Sequence, residues 1–211
     1  STTGTSAFSY GGLQVGLTQV LDPVLDDTNA QVGSRLTQTY VFTNPPTSTV
    51  QNFEVVRYID GDLLFDTSLI DGGGRLFSGT TEYLFEIDSA TDASTDTTLV
   101  AISGVGGTHP VTNRWEIDSY SGLRQRIGDG LALDGILTGD GADADQFIDA
   151  GQGYDVTLGL RNLYSLSPGQ SGTYVATTIW GSIAPENIPE PTTLAVLGGA
   201  AALMLRRRNS R

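Results

Sequence analysis

Apolar and polar residues alternate with a period of two along much of this chain, a pattern that builds half-buried β-strands rather than helices. In 154–161, Tyr154, Val156, Leu158 and Leu160 share one face, with Asp155, Thr157, Gly159 and Arg161 on the other. In 36–42, Leu36, Tyr40 and Phe42 fall together, Gln38 being the exception, and 51–59 groups Phe53, Val55 and Ile59. The run 81–88 sets Tyr83, Phe85 and Ile87 against Glu82, Glu86 and Asp88, with Leu84 out of pattern. The run 171–181 is β-branched and aromatic on both faces and reads as a buried strand. Weaker strand patterns lie near 6–10, 13–20, 97–103 and 111–117. Breaks fall at Asn44-Pro45-Pro46, at a flexible bend Asp71 to Gly74, at Gly104 to Gly107, and at Pro168-Gly169, which suits the centre of a type II turn. The segment 119–133 reads as a short helix or irregular crossover, and 138–153 as a long acidic loop. A sheet must bury a face, so about nine strands of this kind predict an all-β fold, an antiparallel β-sandwich.

Charge narrows the function classes. The 211 residues carry 24 acids and 11 basic residues, a net charge of −13. All the basic residues are arginine, and Arg206, Arg207, Arg208 and Arg211 crowd the end of the chain. Such an acidic body makes a poor partner for nucleic acid. There is no cysteine, which excludes disulfides, thiolate metal sites and cysteine nucleophiles. The single histidine, His109, argues against multi-histidine metal centres, and in the loop GVGGTHP it reads as an exposed side chain rather than the base of a Ser–His–Asp site. No lysine exists to complete a phosphate-binding loop, so Gly72 to Gly74 and Gly104, Gly106 and Gly107 read as turn glycines. The chain begins at Ser1, which fits prior removal of a signal peptide.

The last two dozen residues have a different composition. Thr192 to Leu205 holds no charge, with Leu194, Val196, Leu197, Leu203 and Leu205 as its larger apolar residues, and Arg206, Arg207 and Arg208 follow at once. As a helix this run spans about 21 Å, short of a hydrocarbon core of about 30 Å. An apolar run closed by arginines is nevertheless the pattern of a membrane stop with its basic end in the cytoplasm. Pro189 and Pro191 separate it from what precedes. The expected organisation is a β-sandwich at 1–184, a linker at 185–191 and a hydrophobic helix with an arginine-rich end at 192–211.

Pro189-Glu190-Pro191, a short apolar run and a terminal arginine cluster together resemble the PEP-CTERM protein-sorting signal. The resemblance implies export, transient anchoring in the inner membrane, recognition by an exosortase-type processing peptidase, and a destination at the cell surface or extracellular matrix, often beside exopolysaccharide. The body, in RLTQTYVFTN (35–44), VRYIDGDL (56–63), GYDVTLGLRN (153–162) and LSPGQSGTYVATTIWG (166–181), resembles the immunoglobulin-like or jelly-roll-type sandwiches that often precede this signal.

Two acidic segments are candidate calcium ligands: Asp60, Asp62 and Asp66 in YIDGDLLFD, and Asp140, Asp143, Asp145 and Asp149 in GDGADADQFID. Hard cations take six to eight oxygens, which clustered aspartates can supply, although neither segment has EF-hand spacing and solvated turns are the simpler reading. Trp115 and Tyr120 are candidates for an aromatic sugar platform, whereas Trp180 and Tyr83 sit in strand patterns and are expected in the core. The expectation is a non-enzymatic surface or matrix protein with a structural or adhesive role, capable of self-association and without an obligate cofactor. A carbohydrate-binding module, with or without calcium, is the alternative, and a glycoside hydrolase using paired carboxylates the second.

Overall fold

Among the described residues of the computed structural model every strand ladder is antiparallel, and one isolated parallel bridge joins Ile117 to Leu137. The structure describes residues 1–63, 71–89, 92–108, 114–137, 147–148 and 155–189. Along the chain run β1 (Thr2–Tyr10), β2 (Leu13–Leu25), β3 (Gln31–Thr43), β4 (Gln51–Asp60), β5 (Gly72–Ser78), β6 (Thr81–Ile87), β7 (Thr97–Val105), β8 (Trp115–Ser119), helix α1 (Tyr120–Gly128), β9 (Phe147–Ile148), β10 (Val156–Leu166) and β11 (Ser171–Ile183). They form two sheets of unequal size, an eight-stranded sheet in the order β1-β2-β3-β11-β7-β6-β5-β9 and a three-stranded sheet in the order β4-β10-β8. The sandwich expected from periodicity is present, with eleven described strands instead of nine.

Local chemistry explains the connections. Gly11 and Gly12 both take positive φ and link β1 to β2 in a two-residue loop, the geometry that matches the twist of a hairpin. Pro168 and Gly169 turn β10 into β11. Gly169 has φ +78°, and the Gln170 amide donates to the Ser167 carbonyl at 3.0 Å, as the type II reading requires. Segment 119–133 resolves as α1: the Ser119 hydroxyl caps the Gly122 amide, and Arg126 in the last turn pairs with Glu116 of β8 at 2.9 Å.

The small sheet lies over the middle of the large one. Between them sit Leu84 and Ile102 of the large sheet and Trp115, Ile117, Leu158 and Leu160 of the small one. A neighbouring aromatic group joins Phe42 and Tyr174 to Phe53 and Tyr164. Outside the small sheet, α1 lays Leu123 over Gly159, where a Cβ would come within 3.2 Å of the leucine methyls. Tyr83, Phe85 and Ile87 pack on the opposite face of the large sheet with Val24, Ile179, Ile183 and Ile188.

Three expectations change. The strand 81–88 is covered on both faces, so Glu82 and Glu86 are buried rather than solvated. Gly72 to Gly74 are not a bend but the start of β5, where the strand passes so close to β10 that a Cβ on Gly73 would lie 2.8 Å from a Val156 methyl. Residues 185–189, read as the start of a linker, are fastened to the body. Pro185–Asn187 form a 3-10 turn, Ile188 enters the core, the Ser78 hydroxyl donates to the Ile188 carbonyl at 2.9 Å, and Arg35 donates to the Pro189 carbonyl at 2.9 Å. The hydrophobic segment at 192–205 lies outside the described residues, and no described helix is long and apolar enough to cross a membrane.

Leu158 is fully buried at the centre of the inter-sheet core. Leu158→Ala is expected to lower unfolding free energy by about 2–5 kcal/mol, read as a shift of the urea midpoint without change of slope.

Candidate functional site

Strand register gathers carboxylates at one end of the sandwich. Thr157 of β10 pairs with Asp60 of β4, so Asp155, two residues earlier, falls opposite Asp62, two residues later. One carboxylate oxygen each from Asp60, Asp62 and Asp155 lie within 4.8 Å of one another. The large sheet adds two more acids, Asp71 just before β5 and Glu86 near the end of β6, with Gly73 paired to Glu86. Glu86 points from its sheet toward the small one. A Cβ on Gly61, between Asp60 and Asp62, would stand 2.5 Å and 2.6 Å from the two Glu86 carboxylate oxygens. Gly61 thus leaves the space that Glu86 occupies. Asp62 next to it has φ +38°, a backbone state that non-glycine residues rarely adopt.

These acids are poorly compensated. Glu86 is 0% exposed and Asp71 2%. Glu86 and Asp71 share a hydrogen bond, and the Tyr58 hydroxyl faces Asp60 and Thr157, but no cationic side chain among the described residues pairs with Glu86 or Asp71. The arginines of the body are engaged elsewhere. Arg75 and Arg114 hold Glu82, Arg126 holds Glu116 and Asp134, and Arg161 holds Glu54. Arg57 donates to the Ser103 and Thr177 carbonyls, and Arg35 to Pro189. Arg124, stacked over the Tyr120 ring at 5.2 Å, is the one arginine that bears on Asp60.

The physical result is an acidic knot that resists ionisation. Burial, then the facing Asp71 and the charges of Asp60 and Asp155, push Glu86 up to about 9. Burial foremost pushes Asp71 up to about 6, with Asp88 and Asp155 adding to it, against the opposing effect of its hydrogen bonds with the Glu86 carboxyl and the Leu63 backbone. Asp60 and Asp155 are raised too, by burial first and then by their aspartate neighbours. Alongside opens a shallow pocket of about 370 Å³ lined by Tyr58, Asp60, Tyr120, Arg124 and Ile127.

The structure thus joins Asp60 and Asp62 to Asp155, which the sequence did not single out, and sets the hydrogen-bonded pair Asp71 and Glu86 nearby. Asp66, Asp140, Asp143, Asp145, Asp149 and His109 lie outside the described residues. Trp115 is not a sugar platform, being 5% exposed and capped by the Arg75 guanidinium 4.5 Å from its ring centre. Trp180, expected in the core, is 42% exposed, while Tyr83 is buried as expected. Tyr120 lines the pocket beside the acids. Of the sorting residues, Pro189 is described and tethered by Arg35, while Glu190, Pro191, Arg206, Arg207 and Arg208 lie outside the described residues. Glu86 was invisible as a site residue because alternation cannot tell an outward face from a second buried one. Asp155 required the register of β10 against β4.

Groups whose folded pKa is raised stabilise the fold fully below their unfolded pKa, and that contribution is lost as pH rises through the folded value. Stability should therefore fall as pH rises from about 5 to about 9. Glu116, buried and raised to about 7, adds to the slope with the same sign. Glu86→Gln should remove most of the fall above pH 7, as measured by urea midpoints across that range.

Comparison with known families places the PEP-CTERM protein-sorting motif on residues 187–208. No curated protein matches the chain. The match starts inside the fastened 185–189 segment and runs through the apolar stretch and the arginine cluster. The chain is thus an antiparallel β-sandwich bearing a PEP-CTERM sorting motif, the mark of an exported protein processed at the membrane by an exosortase.

Proposed function

We propose that the sandwich is a non-enzymatic structural module of the cell surface or extracellular matrix, working by association with further copies of itself and in the company of exopolysaccharide. The observation that carries this reading is β1. All nine of its residues are exposed, it forms an edge of the large sheet, and TTGTSAFSY holds no charge and no proline. Soluble monomers usually blunt such an edge with lysine, proline or a bulge, because its free backbone groups invite another strand. Phe8 and Tyr10 on β1, Leu21 and Leu25 on β2 and Val41 on β3 are exposed as well. Sorting by the C-terminal motif delivers the module to the place where such assembly has a use.

A second reading draws on the outer face of the large sheet. Thr37, Thr39, Ser103 and Thr177, between Asp22 and Arg35, line a trough of about 430 Å³ whose hydroxyls suit sugar hydroxyls. The two readings separate experimentally. Self-association predicts concentration-dependent multimers in sedimentation velocity. Thr5→Lys with Ala7→Lys should weaken the association about tenfold or more, roughly 1.4 kcal/mol, while leaving the melting temperature nearly unchanged. A chain that stays monomeric at every concentration, yet is retained on an exopolysaccharide column, would favour the trough instead. For sorting, replacing Pro189, Glu190 and Pro191 together by alanine should leave the untrimmed chain in the membrane fraction, read by immunoblot of fractionated cells.

A further inference from the structure

We propose that β1 pairs with β1 of a second copy, antiparallel and about a two-fold axis at Ser6, closing a dimer through one continuous sheet. This names the partner and the register for the self-association proposed above, and it rests on that reading. The hairpin decides which backbone groups are free. Gly11 and Gly12, at φ +58° and +87°, make the two-residue turn that sets Tyr10 and Leu13 as a hydrogen-bonded pair. Such pairs alternate along an antiparallel ladder, so Thr2, Gly4, Ser6, Phe8 and Tyr10 direct their amides and carbonyls at β2. Thr3, Thr5, Ala7 and Ser9 turn theirs to the open edge.

Among the described residues, the other sheet edges fit this strand poorly. β4 carries Glu54, Arg57 and Asp60, β8 carries Glu116 and Asp118 within five residues, and β9 is two residues long. β1 has nine residues and no charge, so two copies of it meet without repulsion. An edge that pairs with itself about a two-fold closes at two copies, whereas pairing with a different edge would run on as a filament.

Side-chain shape fixes the register. Phe8 lies opposite Val15 and, through it, Phe42, so it stands on the face that carries the small sheet, as does Gly4. Phe8 is 48% exposed, and a Cβ built on Gly4 would meet nothing within 4 Å. Only one antiparallel register pairs all nine residues, and it centres on Ser6. It sets Phe8 against the partner's Gly4, in a pair without hydrogen bonds of its own, where side chains come closest. An aromatic ring across from an edge glycine covers the backbone that the glycine leaves bare. The two-fold repeats this contact. On the other face it places Thr5 beside the partner's Ala7 and Thr3 beside the partner's Ser9, all small. A shift by two residues would leave one end of the strand unpaired and take Phe8 off the glycine.

The test uses the full chain, which has no cysteine of its own, so each substitution supplies a single thiol. Across the two-fold, Ser6 and the partner's Ser6 have Cα atoms about 4.5 Å apart, within reach of a disulfide. Ser6→Cys should therefore convert to covalent dimer on mild oxidation, read on a non-reducing gel. Thr2→Cys alone should not, because the same residue of the other copy lies about 27 Å away along the strand. Mixed with Tyr10→Cys, it should form the cross-linked heterodimer. Phe8→Ala should weaken the dimer about tenfold in sedimentation velocity, with the melting temperature nearly unchanged. A parent that multimerises while neither Ser6→Cys nor the mixture cross-links would overturn this pairing and leave self-association standing. Ready cross-linking of Thr2→Cys to itself would also overturn it, as the mark of parallel stacking. A chain monomeric at every concentration would overturn both.

Discussion

In the pairing of β4 with β10, Leu158 stands opposite Ile59 and Thr157 opposite Asp60, and much of the molecule's interior follows from that register. It turns Leu158 and Leu160 inward beneath the large sheet, and sets Tyr164 against Phe53 with their rings stacked at 5.1 Å. It also leaves Gly159 on the outside, where α1 can lie flat. The same alignment brings Asp155 to Asp62 just beyond the last paired residues. A slip of one residue would exchange the faces of β10, turning Thr157 and Arg161 toward the core and breaking both the packing and the acidic cluster.

Charge in this protein is distributed with little redundancy. Where an acid is buried and has a cation, the cation is arginine, whose planar fork can serve two partners at once. Arg126 holds both Glu116 and Asp134, while Glu82 is shared by Arg75 and Arg114. Arg57 has no acidic partner among the described residues and is satisfied by backbone carbonyls and the Thr178 hydroxyl, crossing from the small sheet to the large one. Burial accordingly lowers its pKa from the ordinary arginine value. Against this background the acids around Glu86 are the exception, and their location at the seam between the sheets is what makes them consequential.

The fold was legible wherever one face of a strand met the core and the other met water or a small covering element. Val156, Leu158 and Leu160, or Phe53, Val55 and Ile59, announce themselves by spacing alone and are found where that spacing places them. Legibility failed where both faces are covered. On β6 the aromatic face and the face of Glu82, Leu84 and Glu86 are both inside, so a polar residue ceases to mark the exterior. It failed again at Gly72 to Gly74, because glycine signals a bend and a close approach equally well, and only the proximity of Val156 distinguishes them. Two of the five gathered acids, Asp60 and Asp62, stood out as a local cluster. The others are distant in sequence and become neighbours only through cross-strand pairing and sheet stacking.

The fastening of residues 185–189 bears on maturation. Ile188 fills part of the hydrophobic layer behind the large sheet, and Pro189 is the last described residue, its carbonyl tied down by Arg35. A protease severing the chain before Ile188 would withdraw a core side chain and uncover Tyr83 and Ile183 beside it, whereas a cut beyond Pro189 would spare the entire hydrophobic layer. The module therefore guards its own boundary. Trimming of the address is compatible with an intact product only on the far side of that proline, and the docked stretch serves as a ruler for where the finished polypeptide can end.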